Sequence, residues 1–412
     1  MTPHSVFQQS LDKSNRADPY PLYAELRKTP VRREEDGTYV VSTYNEIVAL
    51  LHDPRVSSAR PTFPQPGEPG FSEEAAQQPR AFINTDPPEH DRIRRIAMRH
   101  FGPPHSPHRI DDLRPEMVEI ITGLIDGVAG RRRIDIVDDI AYPFPVTVIC
   151  RILGVPREDE ARFHAWADTV VEASDSRQEG RAQRLQRRQS ALLELHRYLG
   201  GIAAERRRAP GDDLISGLIT DQGPDGSMSP IQVAVTSTLL LIAGHETTVN
   251  LITNGMLTLL RHPEHLDRLR HEPDLAVSMV EELLRYEPPV HFLSLSRIAL
   301  DDIDIAGTTI PKGAPIVLAL AAGSRDPAHV PDPDRFDPDR RYNEHLGFGG
   351  GIHYCFGAPL ARLETQIALT ELARRLDNPR LVADPPPYRP SPGLRGPRHL
   401  FIDIDGVDRP AR

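Results

Sequence analysis

The sequence predicts a mainly α protein with small β-sheets. The strongest observation is an apolar pattern of helical period that runs from Ile231 to about Leu260. At ~1.5 Å per residue this segment makes a helix of roughly 45 Å, which is long enough to cross a domain. Most other patterned segments also have a helical period, and the strand-like segments are short. Length alone, at 412 residues, favours two or three domains, although a large single fold stays open.

The N-terminal half alternates helices with irregular segments. A helix over Tyr20–Lys28 precedes a strand pair around Val31 and Tyr39–Val41, with Gly37 in the turn. Ser58–Arg80 has no periodicity and predicts a long loop that is either disordered or functional. Further helices are expected over Tyr44–Leu51, His90–Phe101, Leu113–Val128, Ile140–Leu153, Arg157–Val171, Gln183–Arg207, Asp212–Asp221, His265–Arg270 and Asp274–Tyr286.

The C-terminal part is expected to contain more extended chain. Val290–Arg297 is apolar and extended, and short strands are expected near Ile303–Ile305, Ile316–Leu320 and Leu400–Ile404. Asp326–Arg341 is rich in proline and aspartate, which predicts irregular structure.

Composition narrows the class of protein. The formal net charge of −10 and the pI near 5.9 argue against a general nucleic-acid binder. The two cysteines, Cys150 and Cys355, form no disulfide framework and fit a reducing cytosol. Cys150 lies in an apolar run and is expected in the core. Met1–Arg27 has no apolar stretch of signal-peptide or membrane length, so we expect a soluble, cytoplasmic protein without a membrane anchor.

Cys355 is the most informative residue of the chain. It lies in Phe348–Glu364 (FGGGIHYCFGAPLARLE), between a glycine-rich loop and a helix that opens at Ala358 with Pro359 in its first turn. The N–H groups and positive dipole of a helix start favour a thiolate over a thiol. A thiolate on a flat loop suits an axial ligand for a planar cofactor such as haem.

Three other interpretations of this segment compete. A lone cysteine in an intracellular chain is often a small buried hydrophobe. His353 and Cys355 suggest a nucleophile pair, but side chains at i and i+2 diverge on a helix and lie about 7 Å apart on a strand. A phosphate loop is disfavoured because no Gly-Lys-Ser/Thr follows the glycines.

Three further motifs are ambiguous when each is taken alone. Ala243–Thr248 (AGHETT) places a glycine and an acid in the long helix, which fits either a kink with a satisfied polar pair or an acid–alcohol pair that delivers protons. Glu282 and Arg285 share a helix face, and an exposed pair of this kind contributes little. His90 and Arg94 also share a face, as they would on a solvated basic helix.

Together these motifs resemble the cytochrome P450 family, over essentially the whole chain. The cysteine signature of the family is matched by Phe348, Gly351, His353, Cys355 and Gly357. Its Glu-x-x-Arg pair is matched by Glu282 and Arg285, and its long-helix motif by Ala243–Thr248. The Asp86–Arg94 block (DPPEHDRIR) lies upstream, as the resemblance requires.

The resemblance implies one triangular, helix-rich domain, residues 1–412, around a buried haem b. Cys355 would then be the iron ligand, Glu246 and Thr247 would be catalytic, and Glu282 and Arg285 would be a structural pair that ties its helix to Asp326–Arg341. The residues expected to bind the cofactor are His90, Arg94, Ala243, Gly244, Arg297, Phe348, His353, Cys355 and Gly357, of which His90, Arg94, Arg297 and His353 would bind the propionates. The residues expected in the substrate pocket are Phe82, Ala243, Val290, Phe292, Leu293 and Leu394.

The implied activity is O2-dependent monooxygenation of a lipophilic small molecule, by hydroxylation or epoxidation. The preferred substrate class is a bacterial secondary metabolite such as a macrolide, polyketide or terpenoid. No flavin or nicotinamide domain is fused, so electrons are expected from a ferredoxin and its reductase. The electron donor would dock on a basic patch formed by Arg92, Arg95 and Arg99. The protein itself is expected to be a monomer. The alternatives are a fatty-acid or xenobiotic hydroxylase, a peroxide-driven peroxygenase, a haem protein without turnover and a cysteine hydrolase without haem.

Overall fold

The computed structural model describes residues 5–59, 65–67, 71–106, 108–175 and 181–408. The chain divides into two compact units. The first unit comprises Met1–Ser57, Glu116–Pro143 and Thr247–Arg412, and the second comprises Ser58–Pro115 and Phe144–Glu246. The predicted class, mainly α with small β-sheets, is confirmed. The single domain and its triangular outline stay predictions.

The α-helices of the described residues, in chain order, are α1 (Val6–Ser10), α2 (Tyr20–Arg27), α3 (Tyr44–His52), α4 (Glu73–Ala76), α5 (Glu89–Phe101), α6 (His108–Asp111), α7 (Arg114–Gly127), α8 (Pro143–Leu153), α9 (Glu160–Asp175), α10 (Arg181–Arg208), α11 (Leu214–Thr220), α12 (Pro230–Arg261), α13 (Pro263–His271), α14 (Ala276–Tyr286), α15 (Leu320–Ser324) and α16 (Ala358–Arg375). The strands are β1 (Val31–Arg33), β2 (Tyr39–Val41), β3 (Val56–Ser57), β4 (Arg133–Asp135), β5 (Leu293–Ala299), β6 (Ile303–Ile305), β7 (Thr308–Ile310), β8 (Pro315–Leu318), β9 (Leu376–Asp377), β10 (Arg380–Leu381), β11 (Phe401–Asp403) and β12 (Gly406–Val407).

The first unit is built on a five-stranded sheet in the order β1-β2-β8-β5-β3. The pair β2–β8 is parallel and the other pairs are antiparallel. Val41 and Leu318 lie in one apolar cluster, whereas Val40 and Val317 lie in another. Because successive side chains of a strand point to opposite faces, the central strands are covered by core on both faces.

The second unit consists of helices in the part that the structure describes. Here α10 packs against α9 and α11, and α11 packs against α5. Cys150 on α8 is fully buried, as expected, and burial raises the pKa of its thiol to about 12. This thiol is therefore inert core.

Helix α12 is the long helix that the sequence predicts. Ser229 and Gln232 form a reciprocal cap at its start, with N–H to side-chain oxygen distances of 3.3 and 3.0 Å. Its 32 residues span about 48 Å at ~1.5 Å per residue. Within the part of the chain that the structure describes, neither α12 nor any other helix combines the length and the hydropathy of a membrane span.

Several predicted boundaries differ from the structure. The segment expected as a helix from Ile140 starts inside a π-helix, Ile136–Ala141, and α8 begins only at Pro143. Ser58–Arg80 includes the short helix α4, capped by the Ser72 hydroxyl; its residues 60–64 and 68–70 lie outside the described residues. Strands β3, β4, β7, β9, β10 and β12 were not predicted, because strands of two or three residues carry almost no alternation.

Candidate active site

Cys355 lies between a 3-10 turn, Gly351–His353, and the start of α16. Its backbone N–H donates to the Phe348 carbonyl at 2.9 Å. Gly349 and Gly351 have φ values of +66° and +63°, in the region that favours glycine. A Cβ on Gly351 would also lie 2.0 Å from the carbonyl oxygen of Leu51. The turn that presents the half-buried cysteine therefore requires glycine at position 351.

The Phe348 ring, in the loop that precedes Cys355, is held by charged side chains. The Arg362 guanidinium lies 4.6 Å from the centre of the Phe348 ring and pairs with both oxygens of Glu281, at 2.6 and 2.9 Å. His345 Nε2 lies 3.1 Å from Glu281. Although burial opposes ionisation of Glu281, hydrogen bonds from His345 and Arg362 lower its pKa to about 2. The carboxylate thus stays charged and holds Arg362 over Phe348.

Glu282 and Arg285 form a buried ion pair rather than an exposed one. Both side chains are fully buried, and two hydrogen bonds of 2.8 and 2.7 Å join them. Arg285 also donates to the Pro333 and Arg335 carbonyls, at 2.7 and 3.0 Å. The Asp337 N–H donates to Glu282 at 2.9 Å. The pair therefore ties α14 to the irregular segment Asp326–Arg341, and the exposed-pair interpretation is wrong.

The motif of α12 has one accessible face. Ala243 is exposed and Gly244 and Thr247 are partly exposed, whereas Glu246 is only 6% exposed. Positions 243, 244 and 247 lie on one side of a helix, three or four residues apart. A Cβ built on Gly244 would meet no atom within 4 Å. This face of α12 is therefore open at Gly244.

Glu364 is a buried acid that the sequence interpretation missed. It lies on α16, is 2% exposed, and accepts a hydrogen bond from Thr248, the neighbour of Thr247 in α12. Burial raises the pKa of this carboxyl well above its ordinary value, although the hydrogen bond from Thr248 opposes the shift. In the sequence, the feature that could have indicated this burial is the position of an acidic residue between Leu363 and Ile367 on an apolar helix face.

The predicted propionate ligands differ in burial. His90 on α5 is 1% exposed and its Nδ1 lies 2.8 Å from Asp91, so a solvated basic face is wrong for this residue. Arg94 is partly exposed and lies 5.9 Å from the Phe82 ring centre. Arg297 is 8% exposed on β5, and His353 is partly exposed in the 3-10 turn. Their binding role stays a prediction.

The three arginines expected to dock a partner are paired within their own unit. Arg92 pairs with Glu89, and Arg95 pairs with Asp225 at 2.8 Å. Arg99 binds both Asp221 and Asp225, at 2.8 and 2.6 Å. Their positive charge is therefore largely neutralised, which argues against the docking patch as the sequence suggested it.

The predicted pocket residues do not all suit that role. Phe292 is 4% exposed and its ring packs edge-to-face on Phe7 and Tyr23, so its assignment to the pocket is wrong. Phe292 belongs to the apolar cluster that contains Phe7 and Tyr23, whereas Val290 and Leu293 pack against a different cluster. Phe82 is also buried, at 3%. Val290, Leu293 and Leu394 are partly exposed, and Val290 pairs with Leu394 in an isolated antiparallel bridge.

The comparisons with known proteins decide the family. The family model described as cytochrome P450 matches residues 31–394. The chain belongs to the cytochrome P450 family. It is 39% identical to the cytochrome P450 monooxygenase PikC of Streptomyces venezuelae, over 94% of this chain and 91% of the relative. It is 36% identical to 6-deoxyerythronolide B hydroxylase of Saccharopolyspora erythraea, over 94% of this chain and 96% of the relative.

A solved structure confirms the cytochrome P450 fold. Cytochrome P450 CYP109Q5 from Chondromyces apiculatus superposes with a TM-score of 0.86 at 32% identity, covering 97% of this chain and 98% of that chain. The protein is a cytochrome P450 monooxygenase, and the family implies a haem-thiolate cofactor. Membership excludes the cysteine-hydrolase and phosphate-loop interpretations of Cys355.

Proposed function

We propose that this cytochrome P450 binds haem b through Cys355 and inserts one oxygen atom from O2 into a lipophilic small molecule. The observation that carries the proposal is the cysteine turn. Its two left-handed glycines and its bond to the Phe348 carbonyl hold a single thiol at the start of α16. A thiolate ligand supplies electron density that favours cleavage of the O–O bond.

The residues of the chain fit this cofactor in their chemistry. The iron would be held by Cys355, and the two propionates would be bound by the basic residues His90, Arg94, Arg297 and His353. Ala243, Gly244, Phe348 and Gly357 would lie against the haem ring. Glycines suit a close contact with a flat ring, and a Cβ on Gly244 or Gly357 would meet no protein atom within 4 Å.

Glu246 and Thr247 would handle the protons. Thr247 is partly exposed on α12, and its hydroxyl would donate a hydrogen bond to the O2 substrate and hold water in place. Glu246, which is 6% exposed, would resupply that hydroxyl with protons. An acid and an alcohol in this order favour O2-dependent chemistry over a peroxide-driven reaction.

The preferred substrate is a bacterial secondary metabolite of the macrolide, polyketide or terpenoid type. This rests on the relative named as 6-deoxyerythronolide B hydroxylase and on the apolar side chains of Val290, Leu293 and Leu394. A fatty acid or a xenobiotic is the second class. We further propose a monomer acting as one domain in the cytoplasm, a reducing compartment that suits two cysteines outside any disulfide, with electrons from a ferredoxin and its reductase.

Turnover under labelled oxygen tests the proposal. The purified protein is combined with a surrogate ferredoxin, its reductase and a panel of macrolides, terpenoids and fatty acids. A product carrying one 18O atom from 18O2 is the expected result. Product from hydrogen peroxide alone would favour a peroxygenase. Absence of product with a haem-loaded, reducible protein would favour a haem protein without turnover.

A further inference from the structure

Arg395 is a fully buried cation that the proposed chemistry does not use. Its side chain is 1% exposed. Its Nε donates to the Arg16 carbonyl at 2.9 Å, and its Nη2 donates to the Ala17 carbonyl at 2.8 Å and to the Tyr388 hydroxyl at 3.1 Å. Its Nη1 pairs with the carboxylate of Glu287. A planar guanidinium can serve acceptors on several sides at once, which a lysine ammonium at this depth cannot do.

The backbone beside this ion pair forms the Val290–Leu394 bridge. The Arg395 N–H donates to the Pro289 carbonyl at 2.8 Å, and the His291 N–H donates to the Gly393 carbonyl at 2.9 Å. Val290 and Leu394 lie between these two hydrogen bonds. The side-chain pair and the bridge therefore join the same two segments, one after α14 and one near the C-terminus.

Both segments are also fixed to α12. The Asn254 Nδ2 donates to the Arg395 carbonyl at 3.0 Å and to the Glu287 carbonyl at 3.3 Å. Gly396 lies so close to Asn250 that a Cβ would come within 2.1 Å of the Asn250 Oδ1. Asn250 and Asn254 lie about one and two turns beyond Thr247. The bridge therefore has a fixed position relative to α12, the helix that carries the oxygen-activation motif.

We propose that the Glu287–Arg395 ion pair determines substrate specificity indirectly, by fixing the positions of the Val290 and Leu394 side chains in the substrate pocket. The inference rests on the proposed function, which assigns these two side chains to the pocket. Neither charged residue touches the substrate. Each acts through the bridge, so loss of the pair changes which ligands are preferred and leaves coordination at the iron intact.

Two nitrogen ligands separate these effects. The haem-loaded protein is titrated with imidazole, which reports on the iron alone, and with 1-dodecylimidazole, whose tail also contacts the pocket walls. The variants are Glu287→Gln and Arg395→Lys, with Tyr388→Phe as a milder change that removes one hydrogen bond from Arg395. Arg133→Gln is the matched control, because its pair with Asp403 is an exposed ion pair on β4 and β11.

The expected result is a change of about tenfold in the ratio of the two dissociation constants for Glu287→Gln and Arg395→Lys, since a misfit of one methylene in an apolar pocket alters discrimination by about tenfold or more. A smaller change in the same direction is expected for Tyr388→Phe, and none for Arg133→Gln. Ratios equal to those of the wild type, or a parallel weakening of both ligands, would overturn the inference. A wild-type protein with no spectral response to imidazole would contradict the proposed function instead.

Discussion

Glu282→Ala is expected to destabilise the protein by about 3–5 kcal/mol, the range found when one partner of a buried ion pair is removed. Glu282 and Arg285 are both fully buried, so the guanidinium would remain in the core without its carboxylate. The loss extends further, because the Asp337 N–H and the Asn343 Nδ2 also donate to Glu282. Two more donors, both partly buried, would then lose their acceptor.

The size of this effect can be measured by thermal unfolding. An unfolding entropy of ~2.1 cal/mol/K per residue gives about 0.9 kcal/mol/K for the chain, so the expected fall in Tm is about 3–6 °C. Circular dichroism at a single scan rate would record it. Asp403→Asn is the control, because its pair with Arg133 is exposed, and its Tm should match the wild type. Equal melting of the wild type and Glu282→Ala would refute the structural role of the pair.

Two other expectations concern coupling and acid stability. Thr247→Ala should raise peroxide release per reducing equivalent several-fold, whereas Thr247→Ser keeps the hydroxyl and should stay near the wild type; unchanged coupling in the alanine variant would count against the proton role. The pKa of Glu281 is depressed from 4.5 to about 2, so its stabilisation is full above pH 4.5 and is lost as pH falls through about 2. The Tm deficit of Glu281→Gln should therefore be constant near neutrality and shrink below about pH 4.5, and a deficit that does not vary with pH would contradict this assignment.

Local signals were sufficient for the long helix and the cysteine turn. The Ser229-Pro230 cap marks the start of α12, and its apolar period marks its length. The glycines before Cys355 and Pro359 after it fix a turn followed by a helix. Because each of these features depends on neighbours in the chain, sequence patterns were enough to find them.

Long-range pairing could not be predicted in the same way. Arg99 pairs with Asp221 at a separation of 122 residues. A cation that was expected to dock a partner is therefore paired within its own unit. The pocket assignment of Phe292 failed because its ring packs on Phe7 and Tyr23, which lie far away in the chain. Burial of Glu282, Arg285 and Glu364 likewise depends on tertiary packing, which spacing alone does not reveal.

The central claim is that Cys355 ligates a haem iron as a thiolate, and a ferrous–CO difference spectrum of the purified protein tests it most directly. We expect the Soret band at the long-wavelength position characteristic of thiolate ligation, and we expect Cys355→Ser to lose that band. A wild-type band at the shorter-wavelength position, a Cys355→Ser variant that keeps the thiolate spectrum, or a protein without haem would contradict the account.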